Sequence, residues 1–333
     1  MSGNQQGQIG RGPRQGGGWR AERYAPAHAA AWDALVAAAS NGPFLFRRSY
    51  LDYHADRFTD CSWLLWRGEK LGAVFVAGQA RATTEPAVLV AHPGLAYGGL
   101  VHPGLLPYED VAAIMEVLRA VWRAQGWRQL RIRPVPRAFC RLPADGLSFW
   151  LHRQGAQLVG RELNSVIDLM QDFRIGTWRR GNLRQARRHG LHVALSTDYA
   201  AFWLLLTANL HAAHGRQPVH SAAEIELLDR QNPGCLSLYA AYQEAEMVAG
   251  VVLFQDRRQG FAHTQYIAGS PRGKLMGAVD AVLAHIIEVC QPNFRRLSFG
   301  ISTVSSTVNY GLLNQKEGFG AAAETQDTYQ LDF

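Results

Sequence analysis

Cysteine is scarce in this chain of 333 residues, and no CxxC pair or metal-like cluster of cysteines occurs. The four cysteines are Cys61, Cys140, Cys235 and Cys290. Such isolated positions exclude a disulfide framework or a zinc site as the basis of the fold. Long hydrophobic runs are also missing, since no segment approaches the roughly 18 consecutive apolar residues that a membrane-spanning helix needs.

The first residues, MSGNQQGQIGRGPRQGGGW, contain no apolar core of the kind found in secretory signals. We therefore expect a cytoplasmic protein with reduced thiols. The same segment is rich in Gly, Gln and Arg and cannot contribute to a hydrophobic core. It predicts a disordered tail over residues 1–22.

Lysine is rare as well, because only three of the 34 basic residues are lysines. The net charge of +7 is uneven: residues 1–190 carry a net +11 and residues 191–333 a net −4. A basic half fits an anionic partner such as a sugar nucleotide, a lipid-linked phosphate or tRNA. A solvated arginine-rich surface explains the composition equally well.

The predicted secondary structure repeats once along the chain. Helix, strand, helix and strand follow one another at 108–125, 127–134, 146–154 and 156–169, and again at 277–290, 294–301, 308–317 and near the C-terminus. Matching points keep a nearly constant separation: 167 residues for Leu130 and Leu297, 163 for Gly155 and Gly318, and 169 for Tyr97 and Tyr266. We predict a mixed α/β (α+β) chain of two similar domains, 23–163 and 164–333, each a mixed twisted sheet flanked by helices.

The segment FAHTQYIAGSPRGKLMGAVDAVLAHII (261–287) joins a β-rich run to a long apolar helix through a loop with Gly, Pro and Lys. Such a loop gathers backbone N–H groups and the positive end of a helix dipole at one point, as a pyrophosphate site requires. An ordinary strand-to-helix connection is the competing interpretation, because the spacing is neither a Walker nor a dinucleotide fingerprint.

Downstream, the strand LSFGIST and the helix NYGLLNQKE are followed by Gly318-Phe319. This order, with its Gly-Phe ending, resembles the GNAT family of N-acyltransferases, and the duplication resembles its tandem Fem-like branch. The segments HPGLAYGGL, PVHSAAE, HTQYIAGS, FGIST and NQKEGFG are similar to those of bacterial GNAT-type proteins presumed to act in surface-polysaccharide biosynthesis. The resemblance covers residues 25–333 and implies acyl transfer to an amine, with acetyl-CoA or another acyl-CoA as co-substrate.

The resemblance places one cofactor site in the second half. The implied binding residues are Ile267, Ala268, Arg272, Gly273, Lys274, Met276, Gly277 and Ala278. The chain departs from the family here, since Lys274-Leu-Met-Gly277-Ala-Val279 stands where GNAT enzymes usually have Gln/Arg-x-x-Gly-x-Gly/Ala. It also has Asn314 where many members place a proton-donating tyrosine, and Tyr310, one turn earlier, is the alternative donor.

Acyl transfer to an amine needs a base, and three side chains are candidates: His220, Glu224 and His263. His220 and Glu224 can face one cleft if Ser221 caps a helix, although Ser221 and Glu224 also have the spacing of a purely structural capping box. His263 and Tyr266 are three apart on a predicted strand, so we expect them on opposite faces of the sheet. A structural role is the alternative for His263.

Acceptor-binding candidates are His92, Tyr97, Tyr266 and Arg180. His92 and Tyr97 belong to a Gly-rich stretch that tight-turn packing explains equally well. Arg180 lies in a basic helix predicted over 173–190, which either binds a diphosphate or tRNA backbone or is a solvated or inter-domain surface.

Three functions remain open from the sequence. The first is an acyl-CoA-dependent transferase acting on a small or sugar-linked amine. The second is a Fem-like enzyme that uses aminoacyl-tRNA, and the third is a catalytically inactive GNAT-like binding protein. No metal site, DNA partner or membrane span is expected.

Overall fold

The computed structural model describes residues 18–333 apart from His92, which is one of the predicted acceptor-binding residues. The helices are α1 (Ala29–Ala38), α2 (Arg48–Leu51), α3 (Tyr108–Ala124), α4 (Gly146–Arg153), α5 (Thr177–Arg188), α6 (Tyr199–His214), α7 (Ala222–Gln231), α8 (Pro271–Leu275), α9 (Ala278–Cys290) and α10 (Tyr310–Glu317). Within that part of the chain, no helix is both long and apolar enough to cross a membrane.

The strands of the first half are β1 (Trp19–Arg23), β2 (Phe58–Asp60), β3 (Trp63–Arg67), β4 (Lys70–Val76), β5 (Gly78–Ala80), β6 (Val88–Val90), β7 (Gly99–Val101), β8 (Gln129–Ile132) and β9 (Gln157–Asp168). Those of the second half are β10 (His192–Ser196), β11 (Leu236–Gln243), β12 (Glu246–Asp256), β13 (Phe261–Gly269), β14 (Arg296–Ile301), β15 (Thr303–Val304), β16 (Thr307–Val308) and β17 (Ala322–Asp332).

The strands form two main sheets. One contains β1-β3-β4-β7, and the other has eleven strands in the order β10-β11-β12-β13-β14-β9-β17-β8-β6-β5-β2. Each half contributes one parallel pair, β6 with β8 and β13 with β14. Leu130 lies in β8 and Leu297 in β14, so the predicted correspondence between these two leucines matches equivalent strands of the two halves. The predicted mixed tandem fold is confirmed.

The two halves exchange their last strands. Strand β9, which ends the first half, pairs with β14 of the second, and β17, which ends the second, pairs with β8 of the first. The exchanged strands also pair with each other, from Ala322↔Val166 to Gln330↔Gln157. The division expected after residue 163 therefore falls inside β9, and the halves share one continuous sheet.

Strand β1 corrects the prediction that residues 1–22 are disordered. Its register runs from Trp19↔Arg67 to Arg23↔Trp63, so Trp19–Glu22 are ordered, while residues 1–17 lie outside the described chain. The physical reason is an aromatic anchor. Trp19 donates to Asp110 (3.1 Å), and its ring lies against Gly72.

Amphipathic helices cover the sheets. Helix α9 buries one apolar face formed by Val282, Leu283, Ile286 and Ile287, and α3 buries Ile114, Leu118 and Trp122. Each such side chain stabilises the fold by about 1.5–3 kcal/mol when fully buried. The turn after β12 holds the halves together, because buried Asp256 accepts from the Phe44 backbone N–H (2.8 Å) and Gln259 donates to the Ala39 carbonyl (2.8 Å).

Candidate functional site

A cleft opens where β13 and β14 separate. The two strands are paired only over Phe261↔Arg296, Ala262↔Leu297 and His263↔Ser298, after which β13 remains paired with β12 and β14 with β9. The resulting cleft has a volume of about 420 Å³. Its walls come from α5, α6, the α8–α9 connection and α10 as well as from the two strands.

The predicted cofactor loop forms the mouth of this cleft. Ser270 caps the short helix α8 by accepting from the Gly273 N–H (3.0 Å). Gly277 adopts a left-handed conformation (φ 77°), and α9 begins directly after it without a side-chain cap. The positive end of the α9 dipole therefore faces the cleft, as an anionic ligand requires.

The packing of the loop against the rest of the protein requires glycine at positions 273 and 277. A Cβ on Gly273 would lie 2.2 Å from the Val248 carbonyl oxygen, and one on Gly277 would lie 2.5 Å from that of Asn182. Both contacts are with backbone, which cannot move aside. The glycines thus allow the loop to pack against β12 and α5.

Asp280, in the first turn of α9, places a carboxylate at the cleft wall. It is buried and accepts from Arg179 (3.0 and 3.2 Å) and Asn182 (2.5 Å). Asp110 occupies the third position of α3, as Asp280 does in α9, and pairs with Arg67 at 3.1 Å. In each half, therefore, an aspartate paired with an arginine partly neutralises the positive end of a helix dipole, Asp280 for α9 and Asp110 for α3. Sequence reasoning identified neither Asp280 nor Arg179.

Lys274 and Lys316 are the cations of the cleft that have no acidic partner among the described residues. Lys274 donates to the Asn209 side-chain oxygen (2.5 Å), a neutral partner that leaves its charge uncompensated. Together with the α9 N-terminus, it fits the anionic end of a donor such as coenzyme A. The Arg179–Asp280 pair limits the negative charge that Asp280 presents to such a ligand.

Lys316 lies on α10 and was not among the residues predicted from sequence. It is only 7% exposed and donates to the carbonyl oxygens of Gly300 (2.9 Å) and Ile301 (2.6 Å). Burial lowers the pKa of Lys316 to about 8. One signal could have identified it. In a chain that uses arginine almost everywhere, two of the three lysines line this cleft, and lysine, unlike arginine, can titrate near neutral pH.

His263 lies beside Lys316, at the last paired position before the strands separate. Ser298 Oγ donates to buried Asn164 (2.8 Å), so His263 Nδ1 carries a proton and donates to Ser298 Oγ (3.0 Å). Nε2 is then the unprotonated ring nitrogen. Burial, with the positive charge of Lys316, lowers the pKa of His263 to about 4.

The expectation that His263 and Tyr266 point to opposite faces of β13 is wrong. A β-bulge pairs Thr264 with Leu253 and Tyr266 with Val252, which leaves Gln265 without a partner. The extra residue shifts the alternation by one, so His263 and Tyr266 share a face. A strict period of two cannot reveal such a shift from sequence.

His220 and Glu224 lie in a different cluster, between the halves. His220 Nδ1 is 2.5 Å from the Tyr266 hydroxyl, and the Tyr53 ring stacks on the imidazole at 6.1 Å. Burial lowers the pKa of His220. Ser221 and Glu224 form the capping box of α7 that their spacing predicts, and Glu224 also lies 3.5 Å from Arg57. None of the three predicted bases lines the cleft itself. His263 is linked to it through Gly300, which lies against the His263 ring and accepts a hydrogen bond from the cleft residue Lys316.

The remaining predicted residues have different environments. Ile267, Ala268, Lys274 and Gly277 line the cleft, while Gly273, Met276 and Ala278 are buried beneath it. Arg272 is exposed and lies 3.6 Å from Glu246.

Tyr97 is buried in the core between Phe46 and Phe139, and Tyr310 is exposed at the start of α10. Arg180 bonds Thr177 on its own helix, whereas the neighbouring Arg179 faces the cleft.

The hydrogen bonds of His263 lead to a prediction about its tautomer. We expect the Nδ1–H form in the wild-type protein and the Nε2–H form in Ser298→Ala, because the substitution removes the acceptor of the Nδ1 proton. Nitrogen-15 NMR of the histidine side chains, assigned with His263→Gln, measures this. Ser196→Ala, which removes a hydroxyl bonded to Tyr242 at the sheet edge, is the control. An unchanged tautomer in Ser298→Ala would contradict the assignment.

A scan against models of known protein families finds no match, and a search of curated proteins finds none. Solved structures do match. FemX is 11% identical, with a TM-score of 0.68, over 94% of this chain and 97% of that chain. A tandem GNAT protein from the clavulanic acid biosynthesis pathway is 11% identical, with a TM-score of 0.53, over 94% and 98%. L-PGS from Bacillus licheniformis is 12% identical, with a TM-score of 0.50, over 79% and 81%. These likenesses concern the fold, and the chain has the tandem GNAT, Fem-like fold that its sequence resembles.

Proposed function

We propose that this protein is an N-acyltransferase with one active centre, at the inner end of the cleft between β13 and β14. The observation that carries the proposal is the placement of two nitrogen groups around Gly300, one on Lys316, which lines the cleft, and one on His263, which lies behind it. His263 and Lys316 flank Gly300, whose carbonyl oxygen accepts from Lys316 at 2.9 Å and whose Cβ position lies 3.3 Å from the His263 ring. Both have lowered pKa values, which are typical of reacting groups.

The reaction needs a neutral amine to attack the donor carbonyl. The new C–N bond forms as the carbonyl π electrons move to oxygen, giving a tetrahedral anion. His263 Nε2 accepts the proton that the attacking nitrogen loses. When the bond to the leaving sulfur or oxygen breaks, that atom takes a proton from the Lys316 ammonium, whose pKa of about 8 suits transfer near neutral pH.

The donor we propose is an acyl-CoA. When bound, it supplies the activated acyl group, while Lys274 and the α9 N-terminus hold its anionic end. Acetyl-CoA at about 100 times its dissociation constant should raise the free energy of unfolding by about 2.7 kcal/mol, measured by thermal denaturation. Lys274→Ala should reduce this shift, and Lys70→Ala, at the exposed end of the β3–β4 hairpin, should not. A folded protein that shows no shift with acetyl-CoA or longer acyl-CoA would contradict the CoA donor.

Asp280 favours a second candidate, a Fem-like transferase that uses aminoacyl-tRNA. Its carboxylate lies in the first turn of α9, close to where a CoA diphosphate would bind, and like charges repel. An aminoacyl ester has no diphosphate to place there. Retention of tRNA at low salt, where phosphate contacts are strongest, together with no response to acyl-CoA, would favour this candidate.

For the acceptor, we propose the amine of a small or sugar-linked molecule, such as a precursor of a cell-surface polysaccharide. A second cavity, of about 350 Å³, lies against β17 and is lined by Asp145, Glu324 and Asp327. One carboxylate oxygen of Glu324 is buried without a hydrogen-bond partner among the described residues. Asn164, which holds Ser298, pairs with Glu324 across β9 and β17. Because Asp327 is paired with Arg161 (2.7 Å), we propose Glu324 and Asp145 as the carboxylates that attract the ammonium group of the acceptor.

A further inference from the structure

Helix α5 presents a row of exposed arginines beside the mouth of the cleft. Its inner face is fixed: Arg179 pairs with Asp280, and the Asn182 carbonyl packs on Gly277. Its outer face carries exposed arginines at helical spacing, preceded by one more just before the helix. They are Arg174, Arg180, Arg184, Arg187 and Arg188. None of the five forms an ion pair with any described residue, so the inter-domain salt-bridge explanation of this basic helix does not apply.

Two large apolar side chains are exposed next to these arginines. Trp178, at the start of α5, is 76% exposed, and Leu275, at the end of α8, is 78% exposed. Gln185 on α5 donates to the Leu275 carbonyl (2.6 Å), which ties α8 to the helix. Single exposed apolar residues are ordinary. Here an aromatic and an aliphatic side chain flank one arginine row at the entrance to a cleft.

We propose that this face, defined by the five arginines with Trp178 and Leu275, docks on an anionic phospholipid surface. Unpaired arginines complement anionic headgroups, tryptophan favours the membrane–water interface, and a protruding leucine enters the acyl region. The cleft would then open toward the bilayer, where an acceptor or donor carried by lipid can reach it.

Single-stranded nucleic acid is the competing partner of such a surface. Arginines bind phosphates, and Trp178 could stack on a base. Leu275 distinguishes the two partners. An exposed aliphatic side chain contributes nothing to phosphate contacts or base stacking, but it buries apolar area when it enters a bilayer. The combination of Leu275 with Trp178 therefore favours the lipid surface.

The test is co-sedimentation of the purified full chain with vesicles of phosphatidylcholine, alone or with about 30% phosphatidylglycerol, at low and high salt. We expect binding only to the anionic vesicles, weakened by salt. The triple variant R180Q/R184Q/R187Q should bind about 100-fold more weakly. The control R123Q/R128Q/R153Q removes the same charge from exposed positions of the first half and should bind as the wild type does.

Leu275→Ala should weaken vesicle binding by several-fold while leaving any tRNA binding unchanged. The proposal is overturned if the wild-type protein ignores anionic vesicles at low salt, or if the control triple variant weakens binding as much as the α5 variant. It is equally overturned if tRNA binds and vesicles do not. The measurement needs no transfer activity, so its outcome is independent of the proposed reaction.

Discussion

Lys316→Met is expected to lower kcat/KM for acyl transfer by about 100-fold or more while leaving the protein folded. The substitution keeps the volume of the side chain and removes the ammonium group that we place at the reacting centre. The tetrahedral anion then lacks the lysine charge, and the leaving group lacks its proposed proton donor. The measurement is steady-state transfer with the donor that stabilises the protein, accompanied by circular dichroism to verify folding.

Two lysine controls separate chemistry from binding. Lys274→Met, at the mouth of the cleft, should mainly raise KM for the donor, whereas Lys316→Met should mainly lower kcat. Lys70→Met, on the β3–β4 hairpin, should change neither. If Lys316→Met keeps the wild-type kcat, Lys316 takes no part in the reaction. If the wild-type protein itself transfers no acyl group to any amine tested, the inactive binding protein is favoured instead.

The titration of Lys316 predicts how activity and stability change with pH, which is a second measurement on the same variant. The pKa of Lys316 is about 8 in the folded chain against 10.5 for an ordinary lysine. Activity should therefore fall as pH rises through 8, because the ammonium is lost. Between pH 8 and 10.5 the unfolded chain binds more protons than the folded one, so the free energy of unfolding rises with pH, by up to about 3 kcal/mol. Lys316→Met should lack this rise.

Local sequence patterns were enough to predict the main helices of the second half and one helix cap. Helices α9 and α10 lie within a residue or two of their predicted positions, because each has helical spacing and a glycine at one end. The capping box of Ser221 and Glu224 forms as predicted because it depends on residues three apart. The predicted cofactor loop lies between a strand and a long helix for the same reason, since its glycines and the flanking patterns are local.

The proposed active centre depends on contacts that local patterns do not contain. The bulge at Gln265 reverses which side chains share a face with His263. The exchange of β9 and β17 brings Asn164 of the first half to Ser298 of the second, 134 residues apart. Lys316 gains its lowered pKa from burial, and burial is a property of the assembled fold. Sequence reasoning chose Arg180 from a run of arginines, although the neighbouring Arg179 faces the cleft.

Gly273→Ala is expected to lower the free energy of unfolding by about 3 kcal/mol or more, the upper range for overpacking a buried position. The added Cβ would lie 2.2 Å from the Val248 carbonyl oxygen and 3.0 Å from its carbon, and both are backbone atoms of a central strand. The loop can relieve the clash only by moving away from β12, which would also displace Lys274 and the start of α9.

Gly181→Ala is the matched control, because Gly181 lies inside α5 with nothing within 4 Å of its Cβ position. Alanine is favoured over glycine in a helix by about 0.5–1 kcal/mol, so this variant should be slightly more stable than the wild type. Chemical denaturation of the three proteins measures both effects. The two effects have opposite signs because the Cβ position of Gly273 lies against the backbone of Val248, whereas that of Gly181 faces open space. If Gly273→Ala were as stable as Gly181→Ala, the loop would not pack on Val248, and its glycine would instead be free to serve a bound ligand.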